Sequence, residues 1–89
     1  MRKTLPKKLD EAITLIDVRV SHMRTAYLHE VGADYEIEDI GKVEGIVKQR
    51  VCASAMTKSI KQGVSYAYEY WGPSPEKRFW GRFIITSCP

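Results

Sequence analysis

Lys48, Gln49 and Arg50 stand in succession, with Ser54 and Lys58 after them and Lys77, Arg78 and Arg82 further along the chain. Side chains of these types meet nucleic acid in distinct ways. Arg and Gln present paired polar atoms that match purine edges, whereas Lys chiefly engages phosphate oxygens. The charge distribution suits such contacts: residues 1–8 carry a balance of +4, residues 9–46 of −6 and residues 47–89 of +5, within a net charge of +3. The basic second half is therefore expected to meet a polyanion.

Other chemistries find less support in the residue types. His22 and His29 lie seven apart, but no cysteine pair accompanies them at zinc-ligand spacing. Asp34, Glu36, Glu38 and Asp39 crowd one short stretch, where acid at the positive end of a helix dipole accounts for them without a metal. Cys52 and Cys88 belong to no disulfide framework and are expected as free thiols, as in a reducing compartment. There is no Gly-rich phosphate loop and no local nucleophile–base motif, so neither enzymatic activity nor a cofactor is expected.

The elements that must position these residues follow from composition and periodicity. The chain has 89 residues, 44% hydrophobic and 28% charged, which suits one small domain over 1–89. Within it, residues 1–8 form a basic arm, 9–63 a helical part and 64–86 a β-hairpin. Leu9, Ile13, Ile16, Val20, Met23 and Tyr27 recur at spacings of 4, 3, 4, 3 and 4, one face of a helix that Gly32 ends. The same spacing fits three heptads and would serve a homodimer through this first helix. A second helix is expected from Asp34, and a third from Val47 to Gln62 with Gly63 after it. Then "VSYAYEYW" and "RFWGRFIIT" alternate around "GPSPEK", giving strands near 64–71 and 78–86. A rival parse carries the helix on to Trp71 and stops it at Gly72-Pro73. The expected fold is mainly α with a C-terminal β-hairpin.

Within "IEDIGKVEGIVKQRVCASA", Gly41 is small, Gly45 can make a turn, Ile40 and Ile46 flank them, and Val51 can anchor a following helix. Over residues 37–56 this resembles the helix-turn-helix of bacterial repressors, including the lac repressor family. Glu44 and Ser54 depart from the small or apolar residues found at those sites. The resemblance implies a three-helix helix-turn-helix core with the hairpin as the wing of a winged helix. It also implies base contacts by Lys48, Gln49, Arg50 and Ser54, with Lys58, Lys77, Arg78 and Arg82 supporting the backbone.

The leading expectation is thus a small, sequence-specific transcriptional regulator that binds duplex DNA. The second is a non-enzymatic interaction or inhibitor protein of the kind mobile elements encode, docking a host protein through Tyr68, Trp71 and Trp80. Single-strand binding on the same aromatics is third. The stretch "MRKTLPKKLDEA" lacks an apolar region after its basic residues, and no apolar run reaches the roughly 18 residues of a membrane span. A cytoplasmic location without membrane contact is expected.

Overall fold

The computed structural model describes residues 6–73 and 76–88. Arg2 and Lys3 of the expected arm, and Ser74 and Pro75 of the expected loop, lie outside the described residues. The chain forms a mixed five-stranded sheet with two helices, not a mainly helical fold. In chain order the elements are β1 (Lys7–Lys8), β2 (Ile13–Ser21), β3 (Arg24–Val31), α1 (Ile40–Cys52), α2 (Met56–Lys61), β4 (Ser65–Trp71) and β5 (Phe79–Ile85). The strands stand in the sheet in the same order. All neighbours are antiparallel except β3 and β4, whose parallel pairing requires the crossover that α1 and α2 supply.

The expected first helix is the β2–β3 hairpin. Its apolar spacing fitted a helix only because Leu15, Val18 and Leu28 were left off the face. Ile13, Thr14, Ile16, Val18 and Val20 are β-branched, and such side chains lose less freedom in a strand. Leu15 pairs with His29 and Asp17 with Leu28, so Ile16 is the extra residue of a bulge. Reversal needs only His22 and Met23, with Met23 in the left-handed region at φ 59°. Neither residue is a usual hairpin-turn type, and this concealed the hairpin. With no first helix, the helical homodimer is excluded.

The two glycines of the "GKVEG" stretch both lie within α1. Asp39 caps this helix, its carboxylate accepting from Gly41 N–H at 2.9 Å, so the helix begins there and not at Asp34. Gly45 makes no turn and supports no packed neighbour: a methyl carbon placed there meets nothing within 4 Å. At Gly41 the same carbon meets only the cap oxygen of Asp39, at 3.0 Å. Gly45→Ala is therefore expected to raise stability by about 1 kcal/mol in a urea titration.

The helix expected over 47–62 is broken at Ser54. Ser54 Oγ donates to the Val51 carbonyl at 2.7 Å and accepts from Met56 N–H at 3.2 Å, while Thr57 Oγ1 donates to the Cys52 carbonyl at 2.7 Å. These hydroxyls take backbone groups that a continuous helix would use itself.

The C-terminal strands form an antiparallel pair, but they are not a wing, because β4 lies inside the sheet between β3 and β5. Paired residues share a face, which places Tyr27 and His29 of β3 beside Tyr68 and Tyr70 of β4 and Gly81 and Phe83 of β5. On this face α1 seats Ile40 against Gly81. The core combines Val31, Val51, Ile60, Tyr66, Tyr68, Tyr70, Phe83 and Ile85. A disulfide joins Cys52, at the end of α1, to Cys88 beyond β5, so neither cysteine is free.

Candidate protein-docking site

The parallel pair sets where a cleft can form. β3 runs out at Val31 and β4 at Trp71, side by side, and the chain leaves each through a glycine, Gly32 and Gly72. Crevices at the carboxyl ends of parallel strands are common ligand sites because the connections diverge there. Here a cleft of about 340 Å³ opens between them, walled by Tyr35, Glu36, Arg78 and Trp80.

Local backbone geometry aims these side chains. Tyr35 N–H donates to the Gly32 carbonyl at 3.0 Å, a turn that leaves the residue 42% exposed. Across the cleft Lys77 adopts φ 47° and donates to the Pro73 carbonyl at 3.0 Å, while Gly72 N–H donates to the Arg78 carbonyl at 2.6 Å. That tight approach suits a glycine, since a methyl carbon at Gly72 would sit 3.3 Å from Arg78 N. Trp71 pairs with Phe79 but Tyr70 with Gly81, so Trp80 is bulged out of the ladder. The Arg78 guanidinium lies 4.3 Å over its ring, a cation–π contact. The Trp80 indole Nε1 is buried and has no acceptor among the described residues. A buried donor without a partner costs about 1–3 kcal/mol, which an acceptor brought by a bound molecule would recover. Tyr, Trp and Arg around a cleft are the residue types that anchor protein interfaces.

Neighbouring the cleft, a band of stacked rings stiffens the sheet. His29 stacks on Tyr70 at 4.5 Å, and Tyr68 on Phe83 at 5.4 Å. Burial holds the His29 pKa below its ordinary value, with the Glu69 and Tyr27 carbonyls drawing it part-way back. Burial raises Tyr68, with neighbouring tyrosines adding to the effect, and pushes Tyr70 up to about 12, with Asp10 contributing. Neutral His29 donates Nδ1–H to the Glu69 carbonyl at 3.1 Å. The unfolded chain binds the histidine proton more readily, so this stability is present above about pH 6.5 and is lost as pH falls through the folded value. The tyrosines work in the opposite sense: their stability is present below about pH 10 and lost as pH rises through the folded values. Urea midpoints are expected to plateau between about pH 7 and 9.5 and to fall on both sides. His29→Phe should flatten the fall below about pH 6.5 while leaving the alkaline limb in place.

The chain shares its fold with two solved bacterial structures. One is a Pseudomonas aeruginosa protein described as secreted, at 13% identity and a TM-score of 0.79, over 91% of this chain and 74% of that one. The other is EpsS, the pilotin of the Vibrio vulnificus type 2 secretion system, at 10% identity and a TM-score of 0.79, over 96% of this chain and 76% of that one. No protein-family model and no curated protein matches the chain.

These findings correct the nucleic-acid reading. A fold shared with a protein described as secreted and with a secretion pilotin is not a helix-turn-helix, and duplex DNA is withdrawn as the partner together with transcriptional regulation. The mobile-element inhibitor reading is withdrawn with it. The cytoplasmic assignment rested on the lack of an apolar region after the basic start, with free thiols in agreement; the Cys52–Cys88 disulfide, a bond typical of oxidising compartments, counts against it. One of the two neighbours is itself described as secreted.

The residues picked out from sequence are scattered over the fold. Lys48, Gln49 and Arg50 lie near the end of α1, not at the start of a recognition helix. Lys48 and Gln49 line a second, open groove with Gly45 and the disulfide, whereas Arg78 lines the cleft at Gly32 and Gly72. Ser54 is engaged in the break between the helices, Lys58 projects from α2, and Arg82 lies 3.6 Å from Glu69. Lys77 serves the turn that presents Arg78. Of the aromatic candidates, Tyr68 is buried in the stack, and Trp71 packs on Phe79 at 4.6 Å and donates to Glu69 at 3.1 Å. Only Trp80 reaches the cleft. Tyr35 and Glu36 were missed, and the signal for them is a glycine directly after an apolar strand, at Gly32 and again at Gly72.

Proposed function

We propose that the protein is a disulfide-bonded binding module that works outside the cytoplasm in association with a secretion apparatus. It holds a segment of a partner protein of that apparatus in the cleft between Tyr35 and Trp80. The observation that carries this reading is the likeness in fold, over 96% of the chain, to a pilotin of a type 2 secretion system. The exposed Tyr35, the cation-covered Trp80 and its unpaired indole N–H support it as anchors for a protein segment. The role is one of binding and not of catalysis.

The test is a photo-crosslinking residue at position 35, with a control at Lys58 on α2, in cells that assemble the secretion apparatus. Crosslinking to a subunit of that apparatus from position 35 alone, lost with Arg78→Glu, is the expected result. Equal yields from both positions, or none from position 35, would remove the cleft as the docking site.

A further inference from the structure

β2 has a free side. β1 covers it only at Thr14 and Leu15, through Lys8 and Lys7, and the strand then runs from Ile16 to Ser21 with no neighbour on that side among the described residues. Monomeric proteins blunt such edges with charged side chains, proline, a bulge or a cover, because an open edge is a template for another strand. Between Ile16 and Ser21 there is neither lysine nor proline; the edge carries the bulge at Ile16 and two charges of opposite sign, Asp17 and Arg19. Beside them Ile16 is 40% and Val20 75% exposed, a large apolar exposure for two strand residues of one edge.

The order of side chains along this edge is self-complementary. We propose that β2 pairs antiparallel with β2 of a second copy, centred on Val18, joining two five-stranded sheets into one. In that register Val18 meets Val18 of the second copy. Asp17 then faces Arg19 on each side of the centre, and Ile16 faces Val20. The pairing ends there, because Leu15 is already taken by Lys7. Opposite charges and apolar side chains thus fall across from their complements at every position, whereas a shift of one residue would bring Arg19 against Val18. Within one chain Arg19 Nε already lies 3.2 Å from Asp17 Oδ2, so the two copies would close a ring of four alternating charges.

The backbone is oriented for this pairing. Val18 N–H donates to the carboxylate of Asp17 at 2.9 Å, a local bond that occupies an edge donor in the absence of a neighbour. When Arg19 of the second copy draws the Asp17 carboxylate away, Val18 N–H is free to donate to the Val18 carbonyl opposite, and the reverse. The symmetry is a closed twofold, so the assembly stops at two.

Sedimentation equilibrium across the micromolar range tests the proposal on the intact, oxidised protein. The parent is expected to approach twice the monomer mass with rising concentration. Arg19→Asp or Asp17→Arg, each placing like charges across the axis, should raise the concentration needed by roughly tenfold, equivalent to about 1.4 kcal/mol. The exchange Asp17→Arg with Arg19→Asp in one chain should restore the parent behaviour, an outcome that mere surface damage would not give. Amide exchange at Val18 should slow as the parent concentration rises. A parent that stays monomeric, single variants that associate as well as the parent, a double exchange that fails to restore association, or Val18 exchange indifferent to concentration would each overturn the pairing.

Discussion

Reduction of the Cys52–Cys88 disulfide is expected to lower stability by about 4 kcal/mol, the value chain entropy assigns to a closed loop of this length. The two cysteines are 36 residues apart, and the loop they close holds α2, β4 and β5. In the unfolded chain that bond forbids many conformations of the segment that forms two of the five strands. In the folded one it fixes the end of α1 to the segment beyond β5, and α1 otherwise rests on the sheet through a single apolar stripe that includes Ile40, Val43, Val47 and Val51. A chain of 89 residues commands a total of about 4–13 kcal/mol, so the loss takes a large share of it. Urea titrations with and without reductant measure the change directly. The melting temperature should drop by about 15–30 °C. Cys52→Ser with Cys88→Ser should reproduce the reduced protein and be insensitive to reductant. Equal midpoints in the two states would mean that α1 is held by packing alone.

Gly81→Val is expected to cost about 2–3 kcal/mol, through overpacking and not through backbone strain. A methyl carbon on Gly81 would lie 2.6 Å from Ile40 Cγ1 and 3.1 Å from Ile40 Cβ and Cδ1. Contacts so close to the Ile40 backbone cannot be relieved by a rotamer change at the far end of the side chain. The start of α1 must move, and with it the Asp39 cap. The diagnostic variant is Ile40→Ala combined with Gly81→Val. Each single change should destabilise, but the pair should lose about 1–2 kcal/mol less than the two added, because the cavity left by one accepts the other. Strict additivity would show that the helix does not sit on this strand.

How much of this was legible in the residues depends on whether a local or a distant partner decided the outcome. The strands near 64–71 and 78–86 could be read because Tyr66, Tyr68 and Tyr70 alternate and a Pro- and Gly-rich loop separates the two runs; in the structure they span Ser65–Trp71 and Phe79–Ile85. The β2–β3 hairpin was hidden because a spacing of four and three also fits a strand pair when half the apolar residues are ignored. The density of β-branched residues was the better signal. Asp39 is a capping residue type, but Asp34 is one as well, and the acids that follow Asp34 drew the expected helix start back to it. The disulfide could not be inferred, since Cys52 and Cys88 meet only after β5 has returned beside α1. The cleft was equally out of reach, because Tyr35 and Trp80 are brought together by two different strand ends.

The spatial order of the strands repeats their order along the chain, from β1 to β5. A chain that emerges N-terminus first therefore lays down this sheet strand by strand. Each strand arrives beside one already in place, with a pause only while the two helices pass between β3 and β4. Cys88 comes after the last strand, so oxidation with Cys52 is the closing event of such a sequence and cannot guide it. The covalent link thus locks the sheet only once β5 is in place beside α1.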